Sequence, residues 1–107
     1  MDDREMQELF CFKITQEINW FKLGILNQKP EEIYAKAFEI DSMINLYELL
    51  LEMSQKMRAE QLKELVLFPR ILAYLYDCWL KYEDSGMEEM TVFIGNCLSE
   101  MKGLKAA

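Results

Sequence analysis

REMQELFCFKITQEINWFKLGIL, residues 4–26, reads as one long helix with two apolar sides. At 100° per residue, Met6, Phe10, Ile14, Ile18, Phe21 and Ile25 fall on one stripe. Leu9, Phe12, Trp20 and Leu23 fall on a second stripe, nearly opposite and interrupted by Gln16. One stripe is enough to seat a surface helix on its core. The second has to be covered by another helix of the chain, by a second copy or by a partner. Two apolar sides therefore point to binding rather than catalysis. Leu9, Phe12, Trp20 and Leu23 are the expected contact residues.

The rest of the chain reads as helices separated by short punctuation. The first helix is expected over 3–26, with Asp2, Asp3 and Glu5 complementing its positive N-terminus. Asn27-Gln28-Lys29 breaks it, and Pro30 followed by Glu31 and Glu32 starts a second helix over 30–53. Ile33, Ala37, Ile40, Ile44, Tyr47 and Leu51 form one stripe there, flanked by Tyr34 and Phe38. Met43, Leu46, Leu50 and Met53 fill much of the other side. A helix apolar nearly all round belongs in the middle of a fold. Asp41-Ser42 is the expected place for a local break, since both side chains compete for backbone hydrogen bonds.

A short helix over 58–68 follows, with Leu62, Leu65 and Val66 inward, ending before Pro69. Pro69 then opens a helix over 69–83, with Ile71, Leu75, Cys78, Trp79 and Tyr82 on its main face. Asp84-Ser85-Gly86 is a turn, with Ser85 as the N-cap of a last helix over 87–102. Met90, Ile94, Cys97, Leu98 and Met101 face inward there. Gly95 costs about 1 kcal/mol relative to alanine and leaves room for a close helix contact. Residues 103–107 read as a frayed end. Strand signals are absent from the sequence. The expected architecture is all-α: residues 1–107 as one compact domain, a bundle of four to five helices.

Composition narrows the function. At 107 residues and 51% hydrophobic, the chain suffices for one domain with a sizeable core. No apolar run approaches the roughly 18 to 20 residues of a membrane span. The polar start, Met1-Asp2-Asp3-Arg4-Glu5, does not read as a secretory signal, so a cytoplasmic location without membrane contact is expected. Cys11, Cys78 and Cys97 are odd in number and widely spaced, which suits small buried hydrophobes in a reducing compartment. Histidine is absent. That excludes Ser-His and Cys-His nucleophiles and Cys/His zinc sites. Glu48/Glu52 and Glu60/Glu64 stand one helical turn apart, but adjacent carboxylates on a polar face are usually solvated. The four glycines are isolated, so no phosphate-cradling loop exists. No catalytic, cofactor-binding or metal-binding residue is expected.

The formal net charge is −7, which disfavours direct binding to nucleic acid and suits a basic protein surface. The densest acidic stretch runs from Asp77 to Glu100. Asp77, Glu83, Asp84, Glu88 and Glu89 are expected to supply the acidic part of a binding surface, with solvation alone as the plainer reading. Of the eight methionines, Met43, Met90 and Met101 read as core filler, while Met6, Met53, Met57 and Met87 fit core or surface.

Trp20-Phe21-Lys22, Ile25-Leu26, Pro30-Glu31-Glu32-Ile33 and Ala37-Phe38-Glu39-Ile40, together with Leu72, Leu75-Tyr76, Trp79-Leu80 and Asp84-Ser85-Gly86-Met87-Glu88, carry a resemblance. Across roughly residues 20–98 the chain resembles an uncharacterised domain-of-unknown-function family of short, acidic, all-helical proteins from gut Firmicutes and their mobile elements. The resemblance implies an all-α fold and supplies no catalytic residue. Mobile elements encode small acidic inhibitors of host defences, anti-CRISPR proteins among them. By that analogy the expected function is a non-enzymatic binding module. Its concrete form is an inhibitor of a host nucleic-acid enzyme, such as a CRISPR effector with a basic groove. A homodimer joined through the first helix is the structural alternative, and a carboxylate-based enzyme the least favoured.

Overall fold

The computed structural model describes the backbone of residues 2–81 and 87–106, and the side chains of 2–81 and 90–99. These residues form six helices and no strand: α1 Asp3–Leu26, α2 Pro30–Ala35, α3 Ala37–Ser54, α4 Ala59–Val66, α5 Ile71–Leu80 and α6 Met87–Ala106. The all-α architecture matches the sequence reading; the number of helices is larger. Among the described residues no helix is long and apolar enough to cross a membrane.

α1 begins where the sequence places it. Asp2 caps it, its Oδ1 accepting the Glu5 N–H at 2.8 Å. Its 24 residues extend about 36 Å at 1.5 Å per residue, most of the molecule's 44 Å length. α3, α4 and α5 all pack against it. α3 also meets α2, α5 and α6, which gives it the central position its composition calls for.

The core is continuous. Met6, Phe10, Ile14 and Ile18 of α1 join Met43, Leu46 and Leu50 of α3, Leu62 and Leu65 of α4, and Ile71, Leu72, Leu75 and Trp79 of α5. α6 adds Met90, Phe93, Ile94, Cys97 and Leu98. Trp79 and Phe93 meet edge to face, centroids 5.2 Å apart, and tie α5 to α6.

Four boundaries differ from expectation. The helix expected over 30–53 is two helices, broken at Lys36 rather than at Asp41-Ser42. Lys36 adopts φ −98°, ψ 15°, and its N–H is shared between the Glu32 and Ile33 carbonyls. Asp41 does not compete with the backbone because its carboxylate accepts from Asn45 Nδ2 one turn on, at 3.3 Å. Ser42 is buried inside α3. Secondly, Pro69 does not open a helix. Arg70 follows it in the left-handed region, φ 51° and ψ 53°, so α5 starts only at Ile71. Its last residue is Leu80, short of the expected 83. Thirdly, α4 is confined to Ala59–Val66. Fourthly, α6 continues through Gly103 to Ala106, where a frayed end is expected.

Two side-chain expectations also change. Tyr34 and Phe38, read as flanking a buried stripe, are exposed, and Ala37 is exposed as well. Gly95 makes no close helix contact: a Cβ built there meets nothing within 4 Å. The Asp84-Ser85-Gly86 turn with its Ser85 cap and the inward residue Tyr82 lie outside the described residues, as do the side chains of Met87 and Met101. Met6 is core, while Met53 and Met57 are half-buried against it.

Candidate functional site: the outer ridge of α1

The two stripes of α1 separate as their spacing predicts. Met6, Phe10, Ile14 and Ile18 are dry, and Phe21 and Ile25 are half-buried. On the opposite side Leu9 is 36% exposed, Phe12 61%, Trp20 76% and Leu23 59%. Among the described residues nothing covers them. Leu26 extends this exposed side at the helix end.

The ridge stands on a firmly held helix. Four polar side chains of α1 satisfy backbone groups that the neighbouring helices leave open. Asp3 Oδ1 accepts the Ala59 N–H at 2.7 Å, at the start of α4. Gln7 Nε2 donates to the Gln55 and Met57 carbonyls at 3.2 and 2.9 Å, in the α3–α4 connection. Lys13 Nζ donates to the Val66 and Phe68 carbonyls, where α4 ends. Glu17 accepts the Leu72 and Ala73 N–H groups at 3.0 and 2.8 Å, where α5 begins. A cation thus meets a helix C-terminus and an anion meets an N-terminus, both favourable to the helix dipoles. Glu17 supplies the cap that Arg70, with no side-chain cap of its own, does not. On the α3 side, Thr15 and Tyr47 share a hydrogen bond of 2.9 Å.

The charge around the ridge is sparse. From Leu9 to Leu26 the exposed residues are the apolar ones named, with Gln16, Asn19, Lys22 and Gly24. None is acidic. Glu17 is half-buried and engaged with α5. Just before the ridge, Glu8 pairs with Arg4 at 3.4 Å in solvent. An open groove of about 760 Å³ runs beside Phe12, lined by Arg4, Gln7, Glu8, Cys11, Thr15 and Gln55.

The expected acidic surface is placed only in part. Asp77 is exposed on α5. Glu83 and Asp84 lie outside the described residues, as do the side chains of Glu88 and Glu89. Glu48, Glu52 and Glu60 are exposed and Glu64 is half-buried. Among the described residues no group of three or more Cys, Asp or Glu is placed to hold a metal ion. Partial burial of Tyr76 raises its pKa above the usual 10.0, with the Glu39 and Asp77 carboxylates adding to the rise.

Among the described residues, sequence reasoning missed six exposed large apolar side chains: Leu26, Tyr34 and Phe38, close in sequence where α1 hands over to α2 and α3, and Leu67, Leu80 and Val92 farther along the chain. Tyr34 and Phe38 stand four apart beside a proline start, which was the available signal. It also missed Asp3, Gln7, Lys13 and Glu17 as ties between helices. Their sign was an i, i+4 spacing along the edges of the buried stripe. No protein-family model, curated protein or solved structure matches this chain.

Proposed function

We propose that this chain is a protein-binding module without chemistry of its own, and that it docks through the outer ridge of α1. The observation that carries the reading is the exposure of Leu9, Phe12, Trp20 and Leu23 on the helix most heavily tied to the rest of the bundle. Aromatic side chains dominate the energetics of binding surfaces. A rigid helix loses little conformational freedom when it docks, so more of the contact energy appears as affinity.

The concrete form of the proposal is an inhibitor of a nucleic-acid enzyme. The family resemblance suggests a mobile-element protein acting on a target such as a CRISPR effector. The net charge of −7 favours a basic groove, with Asp77, Glu83, Asp84, Glu88 and Glu89 as its acidic counterpart. Capture from a native lysate by the wild type, by Trp20→Glu and by Phe12→Glu tests the docking face. A partner held by the wild type and lost by both variants, with helical circular dichroism unchanged, supports it. Equal retention by all three overturns it. Raising salt from about 50 to about 500 mM should weaken a charge-driven complex severalfold, and a salt-insensitive complex removes the basic-groove form.

A further inference from the structure

We propose that the occupant of the ridge is a second copy of this chain, its α1 lying antiparallel across the first about a two-fold axis through Gln16. This rests on the reading of the ridge as a docking face and assigns that face to a second copy, so that a basic target is met by acidic surface elsewhere on the chain.

The ridge reads the same from either end. Leu9, Phe12, Gln16, Trp20 and Leu23 are spaced by three, four, four and three residues. Each apolar residue on one side of Gln16 has a counterpart at equal distance on the other. A two-fold interface needs this self-complementarity, because one patch must fit itself. The axis sets Leu9 of one copy level with the partner's Leu23, and Phe12 level with the partner's Trp20. Helical rotation puts Phe12 and Trp20 about 40° to opposite sides of the line through Gln16. Opposed rings therefore lie side by side rather than end on. At the centre two Gln16 amides face each other, and each can donate and accept. A polar pair at the middle of an apolar seam fixes register.

Charge agrees with this pairing. Two copies, each of net charge −7, repel one another at long range. The ridge adds no negative charge to that repulsion, since no exposed acid lies between Leu9 and Leu26. Glu8 and Lys22 occupy one flank of α1, and the two-fold brings Lys22 of one copy beside the partner's Glu8, twice. Acidic surfaces elsewhere on both copies stay open to a basic target.

The four apolar side chains expose on the order of 500 Å² per copy, taking about 150–250 Å² for each aromatic residue when fully exposed. The pair then buries on the order of 1,000 Å², near the lower edge of specific interfaces, so association at micromolar concentrations is expected.

Sedimentation equilibrium between about 1 and 200 µM, with tryptophan emission followed over the same range, tests the proposal. Trp79 is buried in the core, so a blue shift with concentration reports Trp20 leaving water. The expected result is a monomer–dimer equilibrium with that shift, abolished by Trp20→Glu and by Phe12→Glu while helicity persists. Mixing Leu9→Cys with Leu23→Cys protein under oxidation should give the mixed disulfide in about tenfold excess over either self-linked product, identified by peptide mass against oxidised wild type. A wild type monomeric at 200 µM overturns the second copy and leaves the docking reading to its own test. Self-linked products in excess overturn the antiparallel register. A dimer that survives both glutamate variants overturns this proposal and removes the ridge as its face.

Discussion

The two sides of α1 are built from similar side chains and meet different fates. Met6, Phe10, Ile14 and Ile18 are dry; Leu9, Phe12, Trp20 and Leu23 are wet. Hydrophobicity does not distinguish them, since the wet side holds the larger rings. Their polar neighbours do. The buried stripe is bordered by Asp3, Gln7, Lys13 and Glu17, each bonded to backbone of the α3–α4–α5 path. The exposed ridge has Gln16 at its centre and Asn19 and Lys22 beside it, all three turned to solvent. A helix face becomes interior when its flanking polar groups find partners in the chain. The other face keeps its apolar surface for something that arrives later.

The sharpest way to break this contrast is to truncate one phenylalanine on each face. Phe10→Ala should cost about 3–5 kcal/mol, because a fully buried ring leaves a cavity that the bundle cannot close. Phe12→Ala should change stability by no more than about 0.5 kcal/mol, as for a surface position. Urea denaturation at about 1 µM chain, low enough that association adds nothing, measures both. Comparable losses would mean that the ridge is part of the folded core.

A second test sharpens the role of the polar border. Glu17→Ala should cost about 1–2 kcal/mol by removing the cap of α5. The Leu72 and Ala73 amides lose their acceptor, so hydrogen exchange at those two positions should accelerate, ahead of exchange elsewhere in α5. Glu17→Gln retains one acceptor oxygen and should recover part of the loss. Unchanged exchange at both amides would show that Glu17 is an ordinary surface acid.

The first helix was legible because one period dominates it for more than six turns. Its caps, its buried stripe and its outer ridge all follow from positions in the chain. The break at Lys36 was not legible, because Ala35-Lys36-Ala37 contains strong helix formers. α2 has no buried residue and rests mainly against α3, so no buried stripe of its own marks where it ends. Asp41-Ser42 misled because a serine inside a buried helix, with a neighbouring acid engaged by Asn45, costs less than propensity suggests. Arg70 misled in the other direction. Non-glycine residues seldom take positive φ, and the carboxylate that compensates comes from Glu17, far away in sequence. The ridge residues were legible as a face. Their arrangement about Gln16 became informative only once all four apolar members proved to be wet.

The smallest effects lie at two glycines, one on each kind of surface. Neither has positive φ, and a Cβ at either meets nothing within 4 Å. Gly95 lines a crevice of about 150 Å³ with Met53, Met57 and Leu65. Gly95→Ala should gain the full mid-helix propensity difference of about 1 kcal/mol. Gly24 lies in open solvent near the end of α1. Gly24→Ala has only backbone entropy to gain, about 0.5–1 kcal/mol, less if the last turn frays. Thermal melts at low micromolar concentration should rank Gly95→Ala above Gly24→Ala above wild type. Reversal of the two variants would mean that the methyl at residue 24 finds apolar contact, which would place packing partners on the side of α1 that the isolated chain leaves bare.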